Sequence, residues 1–181
     1  MYFLAGDKMK TEIQKPRMEI GVLILYDSVC SGKHAKELCD RLQKRLGSDY
    51  ELNVNLWNLA ALEIFTLSQA AAEAATQSGL LLIAVNGDKS LPPFVRSWVS
   101  RYARKSRTGG AVAAQFHGII RMGLQLAPAY DDLKQIAHEA GMDFFSEVIE
   151  PTDSDLDNCI NEIHERAHMR TPLLEAILQL H

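Results

Sequence analysis

The stretch IGVLILYDSVCSGKHAKEL, residues 20–38, sets the fold. Its first seven residues are an unbroken apolar run. A strand buried on both faces leaves this signature, which belongs to parallel sheets. A short polar loop with Ser28, Ser31, Gly32 and Lys33 follows. Ala35, Leu38, Cys39, Leu42 and Leu46 then recur at helical spacing, and Gly47 closes the series. The spacing predicts a helix over 32–46, with Ser31 as its cap and Gly32 in a tight turn. A strand, a loop with glycine and lysine, then a helix is also how many proteins hold a phosphate.

The same unit repeats along the chain. Residues 50–59 (YELNVNLWNL) alternate apolar and polar, which predicts a strand near a sheet edge. Residues 67–77 are Ala-rich and helical. Residues 79–85 (GLLLIAV) and 110–116 (GAVAAQF) read as buried strands. A helix is expected over 92–105, with Val95, Trp98, Val99 and Tyr102 on one face. A further helix over 131–140 stops at Gly141, and residues 143–149 (DFFSEVI) make a fifth strand. Helices are also expected over 154–169 and 171–180. Five strands alternating with helices predict a doubly wound parallel sheet, an α/β fold in three layers. In such a sheet ligands sit beyond the carboxyl ends of the strands, where the strand order reverses. The loops over 27–33, 86–93 and 117–123 are therefore the places to look for chemistry.

The 181 residues suit a single domain with a full core, and a hydrophobic content of 47% argues against a disordered chain. Residues 1–18 are expected to form a flexible tail and residues 19–181 one domain with an extra C-terminal helix. A formal net charge of −4 disfavours generic nucleic-acid binding. The apolar runs are too short to cross a bilayer. The opening MYFLAG has no basic residues before it and no cleavage-type sequence after it, so no signal peptide is expected. Cys30, Cys39 and Cys159 are an odd number without metal-type spacing, which points to a reduced, cytoplasmic protein. Cys30 beside a helix start could hold a thiolate, with His34 four residues on, but no His–Asp pair completes a nucleophilic site.

A nucleotide-hydrolysing phosphate loop needs GxxxxGK followed by Ser or Thr. Here DSVCSGKH places Asp27 where the first glycine belongs and His34 where the hydroxyl belongs. The loop instead resembles that of flavodoxin-like proteins, in Ser28, Ser31 and Gly32. NGDKSLP at 86–92 is similar to the flavodoxin loop after strand three, in Gly87, Asp88, Leu91 and Pro92. The resemblance implies FMN, its phosphate near Ser28, Ser31, Gly32 and Lys33. The flavin ring would then lie beside Asn86, Gly87, Asp88, Leu91, Pro92 and His117. Residues 86–93 carry no aromatic side chain to stack on a flavin, and Trp57 and Trp98 read as core. LYD at 25–27, Trp57, LPP at 91–93 with Trp98, and GMDFF at 141–145 look like a group of uncharacterised bacterial flavodoxin-like proteins. That likeness spans residues 19–149 and implies a fold of strand order 2-1-3-4-5, with no activity attached.

The chain also resembles response-regulator receivers in shape. Their phosphotransfer residues are missing: Asn86 stands for the phosphorylated Asp, His117 for the Ser/Thr and Glu150 for the Lys. HERAH at 164–168 matches HExxH literally, so His164 and His168 are weak metal candidates. Asp153, Asp155 and Asp157 suit a helix N-terminus better than a calcium loop, because Asn158 replaces the needed glycine. Arg96, Arg101, Arg104, Lys105 and Arg107 read as a solvated face. Leu173, Leu174, Ile177 and Leu178 suggest a homodimer contact or packing on the domain.

The expected function is a non-catalytic, receiver-like regulatory or interaction module with a protein partner or a second copy. An FMN-binding oxidoreductase is the alternative. A metal-dependent hydrolase acting through HERAH is a remote third.

Overall fold

A computed structural model describes residues 17–87, 89–105, 110–117 and 128–149. The parts of the tail before residue 17, Asp88, and everything from Glu150 onward, including His164, His168 and both expected C-terminal helices, lie outside the described residues.

Five strands form one parallel sheet: β1 (Met18–Tyr26), β2 (Tyr50–Asn58), β3 (Leu80–Asn86), β4 (Ala111–His117) and β5 (Asp143–Ile149). Their order is β2-β1-β3-β4-β5. Strand order reverses between β1 and β3, which makes the sheet doubly wound and the fold flavodoxin-like. The helices are α1 (Val29–Leu46), α2 (Phe65–Thr76), α3 (Pro93–Ala103) and α4 (Pro128–Ala140).

The sheet separates two apolar layers, and the two-residue period of the strands decides which side chain enters which. Leu23 and Leu25 of β1, with Leu81, Ile83 and Val85 of β3, face α2, α3 and α4. Val22 and Ile24, with Leu82 and Ala84, face Ala35 and Cys39 of α1. Residues of β1 and β3 thus alternate between two cores, which is why their sequences are continuously apolar. Trp98 is buried in the larger core, where its indole N–H donates to the Ser68 carbonyl at 3.4 Å. Trp57 packs against the same core.

Strand β2 lies at an edge, as its alternation predicts. Gln43 of α1 covers part of its backbone. The Gln43 amide donates to the Tyr50 carbonyl at 2.9 Å and accepts from the Leu52 N–H at 2.7 Å. Gly47 and Gly141 end their helices at φ 72° and 68°, a region that costs a side chain bearing Cβ.

The boundaries differ from the sequence reading where local hydrogen bonding outweighs apolar spacing. Helix α1 starts at Val29, three residues early, because Ser28 and Ser31 form a reciprocal capping box. Ser28 is therefore the cap, Ser31 lies in the first turn, and Gly32 is helical rather than part of a turn. Strand β2 ends one residue early because the Asn58 side chain turns to accept the Ala60 N–H at 2.9 Å. Helix α4 begins at Pro128, whose fixed φ suits a first helical turn.

Candidate functional site

The connection from β1 to α1 is two residues long, Asp27 and Ser28. Both are held by short-range bonds. Ser28 Oγ accepts the Ser31 N–H at 3.2 Å, and Ser31 Oγ accepts the Ser28 N–H at 3.1 Å. The Ser31 hydroxyl donates to Asp27 Oδ1 at 2.8 Å. The other carboxylate oxygen, Oδ2, accepts the Asn86 N–H at 2.6 Å, and the Asp27 N–H donates to the Ala84 carbonyl at 3.2 Å. Asp27 thus ties the end of β1 to the end of β3 and braces the first turn of α1. In the sequence it reads as a carboxylate that would repel phosphate. In the fold it is the clasp between two loops.

The loop after β3 is anchored in turn to β4, since the Gly87 N–H donates to the His117 carbonyl at 2.6 Å. His117 ends β4 and stacks on His34 of α1. Their rings are 5.2 Å apart and 8° from parallel, with the Nδ1 atoms at 3.4 Å. The carboxyl ends of β1, β3 and β4 are therefore cross-linked to one another and to α1.

Between the loops after β1 and β3 and the one after β2 lies a cleft of about 410 Å³. Small-molecule sites typically measure about 300–1,000 Å³. Asp27, Ser28 and Asn86 line its floor side, and Leu59, Leu91 and Phe94 give it apolar surface. Lys89 and Ser90 add polar groups from the loop after β3.

The sequence-based candidates separate into three sets. Ser28, Asn86, Leu91 and Pro92 line the cleft. Ser31 and Gly32 are buried, and Gly32 packs beneath the Tyr26 ring, where a Cβ would come within 3.0 Å. Lys33 is exposed, and neither it nor Gly87 nor His117 is among the cleft's lining residues. Asp88 lies outside the described residues. Sequence reading missed the contribution of Asn58, which ends β2, and of Leu59, Ala60 and Glu63, which follow it. It also missed Phe94, one position beyond the loop inspected for a stacking aromatic. Leu-Pro-Pro-Phe at a helix start was the available signal, because the first turn of a helix still faces the loop before it.

Other candidate chemistry resolves into structure. Arg96 of α3 pairs with Asp132 at 3.1 Å and Arg104, the residue after α3, with Glu139 at 2.7 Å, so both cations bind α4. Burial pushes the Cys39 thiol above its ordinary range, with nearby Lys36 opposing, which makes it a poor nucleophile. Cys30 is disulfide-bonded, a correction to the expectation of reduced cysteines. Among the described residues no group of three or more His, Cys, Asp or Glu could hold a metal, and no helix is long and apolar enough to cross a membrane.

No protein-family model matches the sequence, and no curated protein matches it. Solved structures resemble it in fold. A short-chain flavodoxin associated with a PDU bacterial microcompartment aligns with 12% identity and a TM-score of 0.49, covering 82% of this chain and 95% of its own. The Trp repressor binding protein from Bacillus subtilis aligns with 14% identity and a TM-score of 0.47, covering 76% and 92%. A cysteine-to-serine mutant of flavodoxin from Pseudomonas aeruginosa aligns with 15% identity and a TM-score of 0.46, covering 83% and 97%.

Proposed function

We propose that the chain is a flavodoxin-like binding domain whose cleft takes a flavin mononucleotide-type ligand, a planar aromatic ring carrying a phosphate. The observation that carries this reading is the position of the 410 Å³ cleft over the carboxyl ends of β1, β2 and β3, beside the reversal of strand order. The lining supplies both chemistries such a ligand needs. Leu59, Leu91 and the half-buried Phe94 offer apolar and aromatic surface to a ring. Ser90 and the Lys89 ammonium offer a donor and positive charge to a phosphate, beside Ser28 at the start of α1. Both Asp27 oxygens accept hydrogen bonds from within the fold, from the Ser31 hydroxyl and the Asn86 N–H.

A bound flavin would supply one- and two-electron transfer. The chain's own residues would bind it, orient the ring against Phe94 and shield that face from water. The test is titration of FMN followed by quenching of its fluorescence, with riboflavin in parallel to isolate the phosphate contribution. Saturable quenching with FMN bound more tightly than riboflavin supports the reading. Absence of quenching at high micromolar FMN removes it.

A second reading is a non-catalytic receiver-like interaction module. It is favoured by two features: Asp27, the acidic residue after β1, serves as a clasp, and β3 ends in Asn86, which cannot accept a phosphoryl group. Protein that binds no FMN and is not labelled by acetyl phosphate supports this reading over the first.

A further inference from the structure

Two half-buried histidines, 83 positions apart in sequence, meet where α1 passes the end of β4. His34 lies in the second turn of α1, and His117 is the last residue of β4. Their planes are within 8° of parallel, and the rings are offset so that their Nδ1 edges face each other. The Nδ1 atoms are 3.4 Å apart, while the ring centres are 5.2 Å apart.

A separation of 3.4 Å is long for a hydrogen bond, since N–H donors prefer about 2.9–3.0 Å. It is the spacing of two ligands of one metal ion. Zn²⁺ holds imidazole nitrogens at about 2.0–2.1 Å in a tetrahedral shell, which sets two of them about 3.3–3.4 Å apart. A ring centre lies about 1.1–1.2 Å behind its nitrogen, so the same ion sets the two centres about 5.1–5.4 Å apart. The pair meets both distances. An imidazole lone pair lies in the ring plane, so parallel rings share one ion only edge to edge. The facing Nδ1 edges provide that arrangement.

We propose that His34 and His117 form a two-histidine site for a divalent ion of the Zn²⁺, Cu²⁺ or Ni²⁺ class, bound through both Nδ1 atoms. Neutral imidazole suits these ions, whereas Mg²⁺ and Ca²⁺ prefer oxygen ligands. Two protein ligands leave the other positions to water or to a donor atom of a small molecule. Both ligands sit on regular elements, so little ordering remains to be done on binding. His34 follows the Ser28–Ser31 capping box, and His117 pairs in register with Asn86 of β3 and Ile149 of β5. The His117 carbonyl also accepts the Gly87 N–H at 2.6 Å, so an ion at this site would brace the loop after β3. The site stands independently of any ligand in the cleft.

The chain has a second histidine pair in HERAH, His164 and His168, so the test must tell the two apart. Zn²⁺ titration of the full chain, followed by NMR of the imidazole nitrogens, does so. The His34 and His117 signals are expected to shift together, Nδ1 more than Nε2, and Mg²⁺ should shift neither. In a background carrying His164→Ala and His168→Ala, Zn²⁺ is expected to raise the melting temperature. Adding His34→Gln to that background should cancel the rise and weaken Zn²⁺ binding by about tenfold or more. Unmoved His34 and His117 signals at millimolar Zn²⁺ overturn the proposal, whichever other histidines respond. So does Zn²⁺ affinity that His34→Gln leaves unchanged. The first of these results comes from the wild-type chain and does not depend on a variant folding.

Discussion

Asp27 and Asn86 are 59 positions apart in sequence, yet the Asp27 carboxylate accepts the Asn86 backbone N–H at 2.6 Å. This bond fixes the distance between the two loops that border the cleft. Since the same carboxylate accepts the Ser31 hydroxyl, one side chain also braces α1. Replacing it by Ala takes this acceptor from the Asn86 N–H, while the Ser31 hydroxyl keeps the Ser28 carbonyl at 2.9 Å. Asp27→Ala is therefore expected to destabilise the fold by about 1–2 kcal/mol, because bonds to a charged group are worth more than neutral ones and this site is partly solvated. Asp27→Asn keeps an acceptor and should cost less. Urea denaturation of the two variants beside the wild type measures the difference, and equal midpoints for all three would show that the loops are held by other means.

Gly21 is a second position where close approach leaves little room. A Cβ there would lie 2.5 Å from the Gln77 carbonyl oxygen and 3.0 Å from Ser78 Cα, both backbone atoms. The chain before β3 is also pinned to this point, since the Gly79 N–H donates to the Gly21 carbonyl at 3.0 Å. Backbone cannot rotate away as a side chain tip can. Gly21→Ala is expected to destabilise by about 1–3 kcal/mol, the usual range for overpacking, despite the gain in strand-favouring backbone entropy. Gly79→Ala, with open space around its Cβ position, is the matched control and should be tolerated. Thermal melts that rank the two in the reverse order would contradict the packing described.

The α3–α4 ion pairs give a pH signature. The Glu139 carboxyl is held below its ordinary value of 4.5, first by the hydrogen bond from Arg104 and then by that from Gln135. A carboxylate depressed in the fold adds stability above the unfolded value and loses it as pH falls through the folded one. The contribution should therefore be present at neutral pH and disappear progressively below about pH 4.5. Glu139 is exposed, so the effect should be small and should shrink with added salt. An NMR titration of its side-chain carboxyl in the wild type and in Arg104→Ala reads this directly. The variant should titrate at higher pH.

The cleft can be dissected residue by residue. Phe94→Ala removes the aromatic surface from the lining, and a lost aromatic contact of about 1.4 kcal/mol corresponds to about tenfold in affinity. Lys33 is exposed and outside the lining, so Lys33→Ala should leave FMN affinity unchanged at moderate salt. The two results together, from the same quenching titration, distinguish the cleft from the Gly-Lys loop as the binding place. A large loss with Lys33→Ala and none with Phe94→Ala would place the ligand at the first turn of α1 instead.

The fold was largely written in local pattern. Residues 20–26 and 79–85 are apolar at every position because each strand feeds two cores, and that pattern survives without any knowledge of the neighbours. The alternation in residues 50–59 likewise marked an edge. Helix starts were less legible. Apolar spacing locates the buried face of a helix but not its first residue, which depends on hydrogen bonds such as the Ser28–Ser31 box.

The candidate site was legible only in part, and the reason is geometric. Sequence and topology determined that the loops after β1 and β3 would meet, and they picked out Ser28, Asn86, Leu91 and Pro92. Whether those residues border open space depends on the third dimension. Tertiary structure turned Asp27 from a repelling charge into a clasp, buried Ser31 and Gly32, and set His117 against His34. It also brought in Leu59 and Glu63 from a neighbouring loop and Phe94 from the next helix. Alternation along a strand is a property of adjacent residues, so the sequence alone determined the layers. A cleft is made by side chains distant in sequence whose distances are set by packing, and only the folded chain decided it.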